Sequence, residues 1–440
     1  MLFRSSVDEI HSPEFKRVGS HVSLLKPKLK NGLPTAESLL AIAHQMEQLM
    51  REGKVLAAAT PGYGGLAEAL FKMCVGNRIG LKLNPEVSAE ALLACSYGTV
   101  ILETEEEIGG EIGVTTEEYI LEAAGEQLDL ADLQERWEAR LEPVFPYREK
   151  GETVRTAWYA CMDGGRVSPI IRVPDPRVVI PVFPGTNCEY DSARAFRRAG
   201  GDPHVLVLRN LTPEDVAASC ERLAHEIDQA QILMIPGGFS GGDEPDGSAK
   251  FIMAFFRSPA VSEAVTRLLD ERGGLILGIC NGFQALIKLG LVPYGRIQPI
   301  TEHDPTLTFN TIGRHQSMLV HTRIASNKSP WLSRCEVNDM HLIPVSHGEG
   351  RFVSDPALLG SLIENGQVAT QYVDLDGLPT MDLRYNPNGS ILAVEGITSP
   401  DGRVLGKMGH SERTGRGLYQ NVPGNISQPL FESGIEFFKK

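Results

Sequence analysis

The sequence predicts an α/β protein in which a doubly wound, mostly parallel sheet over residues 177–440 follows a smaller α+β domain. Three observations lead there. Downstream of residue 177, β-branched and leucine-rich runs alternate with helical stretches. Glycine-rich turns sit where those runs end. Between the halves, Pro169, Pro174 and Pro176 interrupt VSPIIRVPDPRV, denying a helix its donors and favouring an extended linker, which is placed at residues 166–176.

In the first domain, residues 1–165, Pro34 to Glu37 opens a helix in which Leu39, Leu40, Ile42, Ala43, Met46, Leu49 and Met50 recur at helical spacing. It ends near Gly53. Val55 to Ala59 reads as a strand, Thr60-Pro61-Gly62-Tyr63-Gly64-Gly65 as a turn, and Leu66 to Val75 as a second helix. A strand over Cys95 to Glu103 and a helix over Thr115 to Ala124 follow, with Glu103 to Glu107 as a solvated edge. In the second domain the strands are Arg177 to Phe183, His204 to Leu208, Ile232 to Ile235 and Gly274 to Ile279. The helices are Ser192 to Ala199, Pro213 to Ala230 and Val261 to Arg272. In such a sheet, ligands collect beyond the carboxyl ends of the strands.

Composition narrows the function. With 440 residues, two or three domains of about 150 residues each are expected. Lys+Arg 42 against Asp+Glu 56 leaves a net charge of −14 and no basic tract, which excludes a nucleic-acid partner. No apolar run approaches the ~20 residues of a membrane span, and Met1 to Lys16 lacks the apolar core of a signal peptide. Seven cysteines without a C-x-x-C fit free thiols in a reducing, cytoplasmic compartment, with no metal site expected.

Chemistry concentrates at Gly278-Ile279-Cys280-Asn281-Gly282, a G-x-C-x-G between an apolar strand and a helix. The glycines permit a sharp turn that projects the thiol above the sheet. The helix then aims its amides at the sulfur, favouring the thiolate and able to hold an oxyanion. The other cysteines, Cys188 and Cys220 among them, read as core thiols. A thiol nucleophile needs a base held by a third group. His410-Ser411-Glu412 supplies both, at i and i+2 on one face of an extended backbone. Ile235-Pro236-Gly237-Gly238-Phe239-Ser240 offers bare amides for a second oxyanion donor. Gly402 to Met408 falls one residue short of a phosphate loop. His341 with His347, and His315 with His321, lack metal-ligand spacing and read as satisfied histidines.

Five segments together carry a specific resemblance: FPGTNCEYD (183–191), IPGGFSGGDEPDG (235–247), GICNGFQALIKLGLVP (278–293), VSHGEGRF (345–352) and KMGHSER (407–413). Their order resembles the class I (triad) glutamine amidotransferase domain of phosphoribosylformylglycinamidine synthase, of purine biosynthesis. The resemblance implies a flavodoxin-like fold, Cys280 as nucleophile, His410 as base and Glu412 as orienting acid. It places Gly237, Gly238, Phe239, Asn281 and Gln284 at the oxyanion or the substrate L-glutamine. SPEFKRVGSHV, the glycine turn at 59–65 and FPYRE resemble the carboxy-terminal half of the second synthetase-like module of the long single-chain form. The chain thus reads as the tail of a longer enzyme, carrying no cofactor itself, with ATP and magnesium belonging to synthetase modules that are its expected partners. The turn lacks the D-x-S-D-G-G pattern, which argues against nucleotide there. Ser411 stands where the small separate subunit has proline. Two rival readings are a free-standing cysteine hydrolase of glutamyl amides and a truncated, non-catalytic binding fragment.

Overall fold

A computed structural model describes residues 11–142, 155–161, 165–239, 248–415, 417–419 and 422–439. Ser240 to Gly247, all of FPYRE and the first ten residues lie outside the described residues. The chain divides into two compact units, Met1–Arg148 with Arg416–Val422, and Glu149–Gly415 with Pro423–Lys440. The division thus comes earlier than the expected boundary at 165. Residues 155–161 pair within the second unit: Thr156 N–H donates to Pro379 O at 3.0 Å and Cys161 N–H to Ala325 O at 3.0 Å. The proline-rich stretch is bonded there too, through Val173 N–H to Phe438 O at 3.0 Å.

The first unit is built on β1 (His21–Leu25), α1 (Ala36–Arg51), β2 (Val55–Ala59), α2 (Gly65–Asn77), β3 (Gly80–Leu83), β4 (Val100–Thr104), β5 (Glu111–Thr116), β6 (Ile120–Ala123), β7 (Glu126–Asp129) and α3 (Leu130–Glu138). Its sheet runs β2-β4-β1-β5-β3-β6-β7. Thr35 caps α1 by accepting Ser38 N–H. The helix expected over Thr115 to Ala124 is instead the end of β5 followed by β6. Ala124 (φ 51°) and Gly125 (φ 81°) turn the chain with two successive left-handed residues, which suits a hairpin and closes β6 onto β7. Glu103 is likewise no solvated edge. It is fully buried and accepts the backbone N–H groups of Lys16 at 2.8 Å and Arg17 at 3.0 Å, together with the Ser20 hydroxyl. Glu103→Ala strands those donors, so the first unit is expected to lose about 3 kcal/mol, read as a lower urea midpoint.

In the glycine turn, Gly64 N–H donates to Glu68 Oε2 at 2.9 Å. A carboxylate of the same helix therefore takes the amide that a phosphate would need.

The second unit holds β8 (Arg177–Val182), α4 (Glu189–Arg198), β9 (Asp202–Val207), α5 (Pro213–Gln229), β10 (Ile232–Ile235), α6 (Lys250–Phe256), α7 (Pro259–Thr266), β11 (Leu275–Ile279), α8 (Asn281–Leu289), β12 (Gln316–Ile324), β13 (Met340–His347), β14 (Val368–Tyr372), β15 (Val394–Thr398), β16 (Val404–Lys407) and α9 (Leu430–Lys439). The sheet order is β9-β8-β10-β11-β16-β15-β14-β12-β13. The pairs from β9 to β16 are parallel, as expected of a doubly wound sheet, and the pairs from β16 to β13 are antiparallel. The fold is α/β, with a mixed sheet rather than a mostly parallel one.

Residues of β10 and β11 are buried throughout, so these strands read as unbroken apolar runs, as central parallel strands must. At the start of α8, a Cβ on Gly282 would stand 1.9 Å from Ile235 O, so only glycine lets the helix close on β10. No helix among the described residues is long and apolar enough to cross a membrane.

Candidate active site

The carboxyl ends of β10, β11 and β16 meet where the sequence places its candidate residues. Cys280 follows β11 and precedes α8 with φ 53° and ψ −107°. The strained residue of the turn is therefore the cysteine itself and not a flanking glycine. A non-glycine residue in this region costs about 1–3 kcal/mol, which the buried strand and the largely buried helix on either side sustain. The thiol is also more enclosed than expected, with the residue only 5% exposed. Cys280 N–H donates to Lys407 O at 2.9 Å, tying the nucleophile's turn to the end of β16, and hence to the loop bearing His410.

His410 and Glu412 are brought together. Nδ1 of His410 lies 2.6 Å from Glu412 Oε1, both side chains are buried, and His410 Nε2 has no partner within hydrogen-bond distance among the described residues. Burial opposes the charged imidazole. The Glu412 carboxylate, Cys280 and Cys188 outweigh it and hold the His410 pKa well above its usual value. Burial likewise raises Glu412, yet His410 brings its net pKa below the usual carboxylate value. Gly237 marks the centre of the group: a Cβ there would lie 2.8 Å from His410 Cε1, 3.1 Å from Cys188 Sγ and 3.4 Å from Cys280 Cβ.

Cys188, an ordinary core thiol by its sequence, is indeed fully buried. Its surroundings are not those of a core residue. The sulfur lies 3.8 Å from His410 Nδ1 and accepts from Arg413 Nη2 at 3.0 Å. Donor atoms of Cys188, His410 and Glu412 fall within 4.8 Å of one another, a spacing compatible with a metal ion. The Nδ1 of His410 is already bonded to Glu412, and a guanidinium sits against the sulfur. These two facts favour an acid–base arrangement over a cation site.

A narrow cleft beside Cys280 is lined by Gly238, Phe239, Asn281 and Gln284, with Ser346 to Glu349 on the far wall. Among the described residues the cleft is narrow, with room for little more than a water-sized group. Asn281 Nδ2 donates to Gln284 Oε1 at 2.9 Å, and Gln284 Nε2 donates to Glu349 O, which fixes one side. Phe239 N–H donates to Gly185 O at 2.8 Å, so its amide is not free to hold an oxyanion.

His347 and His341 are not the satisfied histidines that their spacing suggested. His347 Nδ1 meets Asn310 Oδ1 at 3.1 Å, but among the described residues its Nε2 has no partner although the residue is buried, and neither has His341 Nδ1. The signal available was VSHGEGRF, which contains His347. Burial, aided by His410 and His315, pushes His347 down to about 3; burial and the Lys407 ammonium push His341 down to about 4. An unfolded histidine binds its proton near pH 6.5, so between that value and about 4 the unfolded state binds more protons and stability falls as pH falls. His410, whose pKa is raised, is charged in both states across this window and does not offset the loss. We expect urea midpoints to drop from pH 6.5 to pH 5 by an amount equivalent to about 2 kcal/mol per histidine. His341→Gln should remove about half of that dependence.

Comparison with known proteins matches residues 175–440 to a family described as a CobB/CobQ-like glutamine amidotransferase domain. The phosphoribosylformylglycinamidine synthase subunit PurQ of Methanococcus maripaludis is 33% identical over 269 residues, covering 60% of this chain and 89% of that protein. The PurQ subunit of Symbiobacterium thermophilum is 35% identical over 263 residues, covering 59% of this chain and 96% of that protein. A solved structure of PurLQS from Thermotoga maritima is 25% identical, covering 60% of this chain and 99% of that one, with a TM-score of 0.43. With its family model spanning more than half of the sequence and curated relatives matched over nearly their full length, the chain belongs to the CobB/CobQ-like glutamine amidotransferases and carries a PurQ-like domain of that family.

Proposed function

We propose that this chain carries the glutaminase portion of phosphoribosylformylglycinamidine synthase, hydrolysing L-glutamine to supply ammonia for the ATP-dependent conversion of formylglycinamide ribonucleotide to formylglycinamidine ribonucleotide. One observation carries the reading: a strained thiol at a strand-to-helix turn shares its neighbourhood with a buried histidine whose Nδ1 is held by a carboxylate and whose Nε2 is unpartnered among the described residues.

In this reading His410 Nε2 takes the Cys280 proton and the sulfur attacks the carboxamide carbon. The oxyanion rests on the amides of Gly238 and Asn281. The C–N bond then breaks as His410 returns the proton to the leaving ammonia, giving a γ-glutamyl thioester. Water, deprotonated by the same imidazole, releases glutamate and restores the thiol. Glu412 stabilises the imidazolium in both halves. Ammonia passes to a synthetase portion, where ATP and magnesium act. The first unit reads as part of a synthetase-like module, and the assembly as cytoplasmic.

The test is labelling with a chloroketone analogue of glutamine, followed by peptide mapping. One equivalent on Cys280, prevented by glutamine, is expected. Labelling of Cys188 or Cys335 instead contradicts the assignment.

A further inference from the structure

Beneath the loop that carries His410 lies a buried ion pair to which the reaction steps above assign no role. Lys407, at the end of β16, and Glu395, in β15, are both buried, with Lys407 Nζ 3.5 Å from Glu395 Oε1. Burying two charges is costly unless their remaining donors and acceptors are met. Here the histidine loop meets most of them. Glu395 Oε1 accepts Gly409 N–H at 2.6 Å, and its Oε2 accepts the Thr370 hydroxyl. Lys407 Nζ donates to Gly409 O at 3.2 Å and to Ser411 Oγ at 2.8 Å, and Ser411 Oγ donates onward to Gln428 Oε1 at 2.6 Å. Both backbone polar groups of Gly409, on one side of His410, and the side chain of Ser411, on the other, are thus held by the same two charges. The carbonyl of Lys407 meanwhile accepts Cys280 N–H at 2.9 Å. One residue therefore grips the nucleophile's turn through its backbone and the base's loop through its ammonium.

We propose that the Lys407–Glu395 pair is the positioning element of the base: it fixes Gly409 to Ser411 so that His410 faces Cys280 while Glu412 holds the far ring nitrogen. The proposal rests on the glutaminase reading of Cys280 and His410. A pair serving stability alone can be exchanged for neutral or apolar groups of similar shape. Such an exchange does not restore the charged contacts to Gly409 and Ser411, and a base displaced by about 1 Å costs on the order of 10²-fold in rate.

The experiment measures the rate of Cys280 labelling by the chloroketone from pH 6 to 9, alongside thermal denaturation, in the native chain, Lys407→Met/Glu395→Gln and Ser411→Ala. The double variant removes both charges, so no unpaired ion is left inside. Expected is labelling slowed about 10²-fold at pH 7. Its pH profile should become that of an unassisted thiol, climbing about tenfold per unit toward the ordinary thiol value near 8.5. Ser411→Ala, which loses a single hydroxyl, should fold and label about tenfold more slowly, the worth of one charge-assisted bond. If the double variant does not fold, Ser411→Ala decides: a slower rate with a shifted profile supports the proposal. A folded variant with native rate and native profile overturns it, whatever its melting temperature. A native chain unlabelled at Cys280 overturns the glutaminase reading, a different and separately visible failure.

Discussion

Cys280→Ala should abolish glutamine hydrolysis, by about 10⁴-fold or more, while the chain stays folded. The rate loss follows from the chemistry: without the sulfur there is no thioester, and water must attack the carboxamide directly. Retention of the fold follows from the geometry. Alanine keeps the Cβ, so the backbone at φ 53° and ψ −107° is no more strained than with cysteine, and only one buried sulfur is lost. The contact with Ser346 O at 3.6 Å is long and contributes little. Ammonia release from glutamine and the thermal melting temperature, measured on the same sample with the synthetase portion supplied, check both halves of this expectation. A residual rate near native would move the chemistry to another residue.

The second large effect concerns Glu412. Glu412→Gln keeps the shape but removes the charge that holds His410 well above its usual pKa. With that carboxylate gone, burial dominates and pushes the imidazole toward its neutral form. The imidazolium that must form when the thiol gives up its proton then lacks its counter-ion. Neutralising the orienting acid of a serine protease triad costs about 10⁴-fold, but a thiol depends less on its base than a hydroxyl does. The expected loss in turnover is therefore about 10 to 10³-fold, smaller than that of His410→Ala. The alkaline limb of the rate–pH profile should also move to lower pH, since His410 gives up its proton sooner. Unchanged turnover in Glu412→Gln with His410→Ala inactive would mean that another acid orients the ring.

What the sequence made legible was local. The G-x-C-x-G turn and the H-x-E pair each place their chemistry within a few residues, so strand, turn and spacing could be read directly. Contacts across the chain could not. Cys188 lies beside a histidine 222 residues away, with no spacing to announce it. Glu103 owes its burial to amides 86 and 87 residues upstream, so its acidic neighbours pointed the wrong way. The antiparallel half of the large sheet went unread because its strands pair in an order that only the folded chain reveals. Thr115 to Ala124 carried apolar residues that suited either period, and the Ala124-Gly125 turn decided for strands. Nothing in the sequence singled out Lys407 and Glu395, which meet only because two neighbouring strands bury both beneath the histidine loop.

Whether Cys280 is the nucleophile is decided by capture of the covalent intermediate. The chain, with the synthetase portion supplied, is mixed with isotopically labelled glutamine, quenched in acid during turnover and digested for mass spectrometry. A γ-glutamyl group on the Cys280 peptide, formed as ammonia is released and absent in Cys280→Ala, is the expected result. Ammonia released with no adduct on Cys280, or an adduct carried by Cys188 instead, would contradict it.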